Sequence, residues 1–151
     1  MTKSPASSRV RQAVASDVPV LRELFHRFWE ENFPTVAYNP KHFLSYVEKN
    51  LGNDDLFIAI LNEKDGVIMG CVTPTVYSPE PMAREMVWYT LPEARGHGML
   101  LYRAFESWAK ASHVSQVMFT LPWVEPKMER LGYKMAEVSY FKRLGPDLYR
   151  D

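Results

Sequence analysis

In the stretch PEARGHGML, residues 92–100, an arginine and two glycines stand between an apolar run, REMVWYTL, and a helical run, MLLYRAFESWAKASH. A strand entering such a loop and a helix leaving it aim unpaired backbone amides, and the positive end of the helix dipole, at one point. That is the chemistry of a phosphate cradle. Glycine lets the chain approach an anion closely, and Arg95 adds a charge-assisted hydrogen bond. The same residues also make a plain strand-to-helix turn with a solvated arginine, so the surroundings must decide. No Gly-Lys-Ser/Thr follows, which excludes a Walker loop, and the third glycine of a dinucleotide fingerprint is missing.

Glu85 stands near the start of the apolar run that precedes this loop. A carboxylate there can take the proton of an amine nucleophile, directly or through water. The plain alternative is a solvated glutamate at a strand end. The four histidines, His26, His42, His97 and His113, show no spacing that would build a metal site with each other or with the single Cys71, so no metal is expected. Cys71, in GVIMGCV, reads as a buried, inert thiol. If the loop holds an anion, His97 contributes its backbone amide whatever its imidazole does.

With 151 residues, 46% of them hydrophobic and 24% charged, the chain is the length and composition of one soluble domain. Its 18 basic and 18 acidic residues balance, so no overall field recruits nucleic acid or an anionic membrane. No signal-peptide core or spanning run is present, and the cysteine usage fits a reducing compartment; a cytoplasmic location is expected.

The elements that must position these residues follow from periodicity. Residues 1–9 read as a flexible lead-in and residues 10–151 as a single domain. VRQAV is a strand; Ser16 is placed to cap a helix that carries Val20, Leu21, Leu24, Phe25, Phe28 and Trp29 on one side. Asn39 and Pro40 open a second helix, closed at Gly52. Two strands joined by EKDG form a hairpin whose second strand is limited by Pro74. REMVWYTL is the fourth strand, and the helix after the loop carries Leu101, Ala104, Phe105 and Trp108 on one face. SQVMFTLP is a fifth strand, PKMERLGY a short helix and MAEVSYFKRL a sixth strand. The order is β-α-α-β-β-β-α-β-α-β.

This order, together with WYTLPEARGHGML, resembles the GNAT superfamily of N-acetyltransferases, whose Arg/Gln-x-x-Gly-x-Gly/Ala fingerprint falls on Arg95, Gly96, His97, Gly98, Met99 and Leu100. The resemblance runs from VRQAVASDVPVL to MERLGYKMAEVSYFKRL. It implies an α/β fold with a mixed, mostly antiparallel twisted sheet of about six strands flanked by helices. It also implies acetyl-CoA as cosubstrate, with the diphosphate on the loop and the pantetheine arm along Trp88, Tyr89 and Thr90, where two strands splay apart. Glu85 matches the position of a catalytic base in histone-acetylating relatives, and the connection between the first two helices makes Phe33 and Tyr38 the candidates for an acceptor pocket. The sequence departs from the family at Leu100, where Gly or Ala is usual, at Leu121, in place of an asparagine, and at Met128, in place of a tyrosine that is often the general acid. The implied activity is transfer of an acetyl group to a primary amine of a small molecule or protein, by a monomer or homodimer. The alternative is a GNAT-shaped protein with weakened chemistry that binds another protein and holds CoA as a ligand.

Overall fold

The computed structural model describes residues 9–32 and 38–146. Strand β1, Val10–Gln12, leads through a 3-10 turn, Ala15–Asp17, into α1, Val18–Asn32. Helix α2, Pro40–Asn50, follows, then strands β2, Leu56–Leu61, β3, Gly66–Thr73, and β4, Met82–Thr90. Helix α3, Gly98–Ala111, strand β5, Gln116–Met118, and a single helical turn, α4, Lys127–Arg130, complete the order. Five strands form one sheet in chain order; β1 to β4 are antiparallel and β5 runs parallel to β4. The mixed, mostly antiparallel sheet flanked by helices is therefore as expected, with five strands among the described residues rather than six.

Strand β2 is buried at all six positions because both faces of the sheet are covered. On one face Leu21, Leu24 and Phe25 of α1 and Val47 of α2 pack on Ile58, Ile60, Val67, Met69, Val87 and Tyr89. On the other, Leu101, Phe105 and Ala109 of α3 pack on Phe57, Ala59, Leu61, Ile68 and Ala83. Strict alternation along β2 and β3 divides the two cores.

Local signals behave as the residue chemistry requires, with one exception. The Asn39 side chain accepts from the His42 amide at 3.2 Å with Pro40 in the first turn, and β3 ends at Thr73, just before Pro74. Ahead of α1, however, the carboxylate in use is Asp17 and not the hydroxyl of Ser16. Asp17 accepts from the Val14 amide at 2.7 Å and takes both Arg11 Nη atoms at 2.8 Å. A carboxylate bridging a strand arginine and the turn ties β1 to the start of α1, which a serine hydroxyl cannot do.

The sixth strand is a correction. Residues 135–144 have no strand structure and every one of them is exposed. One side of an extended chain here would carry Ala136, Val138, Tyr140 and Leu144, the alternation that reads as a strand, but a strand forms only against an edge that accepts it. The neighbouring edge, β5, is only three residues long.

The ladder between β3 and β4 contains the irregularity on which the site depends. Met69 faces Val87 but Gly70 faces Glu85, so Met86 is an extra residue on β4. Such a bulge reverses which side the following residues face. Ala83, before it, packs in the α3 core, whereas Val87 and Tyr89, after it, pack under α1 and α2. Opposite Glu85, Gly70 is needed for space: a Cβ there would lie 2.2 Å from Phe105 Cε2 and 2.9 Å from the Arg84 carbonyl oxygen.

Gly70→Ala is expected to destabilise the protein by about 1–3 kcal/mol through overpacking against Phe105, read as a lower denaturation midpoint. Asp17 supplies a second expectation. Its hydrogen bonds to Arg11 hold its carboxyl at about 2, below the ordinary 3.8. Its contribution is present above about pH 3.8 and is lost as pH falls through about 2. The stability gap between Asp17→Asn and the wild-type protein should accordingly be open at pH 6 and close toward pH 2 in chemical denaturation.

Candidate functional site

Strand β4 is bonded to β5 only through Met82, Ala83 and Arg84, paired with Gln116, Val117 and Met118. From Glu85 onward that side of β4 has no ladder partner among the described residues, and the end of β4, the loop, the end of α1 and the segment after β5 enclose a pocket of about 510 Å³. Its floor is Trp88, Tyr89 and Thr90, and its far wall is Arg95, Gly96, Gly98 and Met99. Glu31 and Asn32, at the end of α1, line one lip, and Trp123, Glu125 and Lys127, after β5, line the other.

The loop owes its shape to particular residues. Gly96 has φ +103°, a left-handed conformation that favours glycine, and nothing lies within 4 Å of where its Cβ would be. Backbone geometry, not crowding, therefore calls for glycine here, and the space above the chain is open. Gly98 and Met99 begin α3, so their amides have no carbonyl one turn back. The Leu100 amide instead donates to the His97 carbonyl at 3.1 Å, and the Leu100 side chain packs toward the α3 core. Trp88 fastens strand to helix by donating its indole N–H to the Gly98 carbonyl at 3.1 Å.

Two carboxylates sit in contrasting environments. Glu85 is 2% exposed and accepts only a long 3.3 Å hydrogen bond from the Thr120 amide. Burial pushes its carboxyl up to about 8; the Thr120 bond and the charge of Arg84 oppose that shift without cancelling it. Glu31 is exposed, and its two oxygens take the Arg95 guanidinium and the Tyr89 hydroxyl, each at 2.7 Å. Burial, reinforced by the bond to Glu31, pushes the Tyr89 hydroxyl up to about 12, so it stays a neutral donor.

Of the residues singled out from sequence, Trp88, Tyr89, Thr90, Arg95, Gly96, Gly98 and Met99 line one pocket. Glu85 lies three residues before Trp88, beside Arg84, the last β4 residue paired to β5, and is not itself a lining residue. His97 and Leu100 are not among the lining residues, nor is Tyr38, which packs on Trp29 with ring centroids 4.6 Å apart. Phe33 lies outside the described residues. Met128 is on α4. The nearby Tyr102 hydroxyl donates to Glu106 and lies 3.4 Å from that of Tyr133, and neither tyrosine lines the pocket.

Glu31, Asn32, Trp123, Glu125 and Lys127 are pocket residues that sequence reasoning did not single out. The available signals were regional: FHRFWEENFPTVAY contains Glu31 and Asn32, and Trp123, Glu125 and Lys127 lie between Leu121 and Met128, the two positions where the sequence departs from the family's last pattern. Among the described residues, no three of His, Cys, Asp and Glu gather as a metal site would require, and no helix is long and apolar enough to cross a membrane.

The sequence matches no family model and no curated protein. Solved structures do resemble the fold. A predicted acetyltransferase with acetyl-CoA from Clostridium acetobutylicum superposes with a TM-score of 0.75 at 17% identity, over 91% of this chain and 96% of that one. A GNAT family acetyltransferase from Staphylococcus aureus gives 0.66 at 19% identity, over 91% and 99%. The acetyltransferase AAC(6')-Iy, in complex with a bisubstrate analogue of CoA and an acetylated neamine, gives 0.69 at 19%, over 92% and 99%. The chain thus has the fold shared by GNAT-family acetyltransferases.

Proposed function

We propose that this protein is an acetyl-CoA-dependent N-acetyltransferase that modifies a primary amine by direct attack. The observation that carries the reading is Glu85: a carboxylate buried to 2% exposure, raised to about 8, on the strand whose unpaired stretch leads into the arginine–glycine loop. A general base poised near neutrality by burial belongs to proton-transfer chemistry more than to a surface.

The residues fit the cosubstrate. Open space above Gly96 and the amides of Gly98 and Met99 suit a diphosphate, Arg95 and Lys127 supply positive charge, and the β4 backbone over Trp88–Thr90 suits an amide-bearing arm. When bound, acetyl-CoA supplies a thioester whose carbonyl carbon takes the acceptor nitrogen and whose sulfur leaves as a thiolate. Glu85, ionised, accepts the proton that the nitrogen loses. Holding the acceptor amine near the thioester makes proximity a large part of the acceleration. Met128 has no proton to give, but a thiol titrates at about 8.5, so solvent suffices to protonate the leaving sulfur near neutral pH.

A second reading is a GNAT-shaped protein that works by binding another protein. The exposed Val138, Tyr140 and Leu144 favour it. Cofactor binding without turnover across a panel of amines would select this reading over the enzyme.

Acetyl-CoA is expected to raise the melting temperature of the wild-type protein. Arg95→Ala should weaken that binding by roughly tenfold, the loss of one charge-assisted hydrogen bond. No shift at millimolar acetyl-CoA would remove the reading.

Glu85→Gln should lower kcat by about 10²–10⁴-fold while leaving acetyl-CoA affinity nearly unchanged. The wild-type rate should climb with pH through about 8, as Glu85 ionises, and the variant should lack that limb. Stability moves the other way. Because the folded protein holds this proton more tightly than an unfolded chain, stability falls from about pH 4.5 to about pH 8 and then levels. In denaturation at pH 5 and pH 9, Glu85→Gln should reduce that fall.

A further inference from the structure

We propose that Glu31 selects the acceptor: its carboxylate holds Arg95 while the diphosphate site is free, and once the diphosphate draws Arg95 away it binds a second cationic group on the incoming amine. This rests on the N-acetyltransferase reading and adds to it a residue that sets the substrate class, diamines and larger polycations.

The geometry supplies each step. Arg95 sits on the loop, Glu31 at the end of α1, and both line the same pocket with Tyr89 between them. The pair is short, at 2.7 Å, but its side chains are 56% and 38% exposed. Ion pairs with that much water are weak and exchange readily. A diphosphate, with more charge and more acceptor oxygens than one carboxylate, is the better partner for a guanidinium.

Losing Arg95 leaves Glu31 with the Tyr89 hydroxyl alone. That hydroxyl is held neutral, so it donates to the carboxylate but does not offset its charge. The vacated position is a cation site by construction, since a guanidinium has just left it. Trp123 lines the same pocket, is 47% exposed and donates its indole N–H to Glu125 at 3.2 Å, which leaves the indole face to a cationic ligand. An ammonium bound at Glu31 is not the reacting amine, whose nitrogen must be neutral. The fitting acceptor therefore carries two amines.

The test uses CoA, which binds without turnover, with 1,4-diaminobutane and n-butylamine as probes of the second charge. In calorimetric titration, Glu31→Gln should tighten CoA binding by roughly two- to fivefold, the release of one exposed pair. The same substitution in an Arg95→Ala background should change nothing. With the wild-type protein, 1,4-diaminobutane should tighten CoA binding about fivefold, as reciprocal coupling requires, while n-butylamine should not. Glu31→Gln should abolish that difference. Unchanged CoA affinity in Glu31→Gln, or equal effects of the two amines on the wild-type protein, would overturn the proposal while leaving the acetyltransferase reading standing. Absence of any CoA binding to the wild-type protein would overturn both.

Discussion

Strand β4 is bonded to β3 along its whole length but to β5 over three residues only, and the backbone left unpaired beyond Glu85 organises the rest of the site. Unpaired backbone inside a protein must find another partner, which is why a sheet seldom opens without a purpose. Here the opening is stabilised from both sides. Trp88 ties β4 to the first turn of α3, and the two cores hold β3 and β4 flat against their helices. The Met86 bulge completes the arrangement, turning Val87 and Tyr89 under α1 while Glu85 remains beside Thr120 of the diverging strand.

The two carboxylates of the site show how environment assigns a role to one chemical group. Glu85 has lost its water, and the Thr120 amide and the charge of Arg84 only partly offset that loss, so its proton is held to about pH 8. Glu31 keeps its water and gains an arginine and a tyrosine hydroxyl, which makes it an electrostatic contact between α1, the loop and β4. One is buried in the strand that leads to the pocket, and the other lines it.

Much of the molecule was legible in the sequence because the signals were local. The PEARGHGML loop declares itself through residues adjacent in the chain: Gly96 carries the positive φ, and Gly98 and Met99 begin the helix that aims the amides. Asn39 before Pro40, the apolar spacing of Leu21, Leu24 and Phe25, and the unbroken run LFIAIL all forecast what forms, because a cap or a periodic face is satisfied within one or two turns or along one strand. Even Asp17 was in view, one residue beyond the serine expected to cap, though its partner Arg11 lies on another element.

What only the tertiary structure decided concerns partners. Glu85 is a candidate base in the sequence through the family resemblance, but nothing in EMVWYTL says that Gly70 and Thr120 will close over it. Glu31 meets Arg95 across 64 positions, a pairing no spacing rule can anticipate. Residues 135–144 have the composition of a strand and remain exposed, because a strand exists only where an edge accepts it. Period and propensity are properties of the chain, and so the loop, the caps and both cores could be read from it. Burial, pairing and the pKa of a carboxylate are properties of neighbours brought together by folding, and these decide which acidic residue is buried and which meets an arginine.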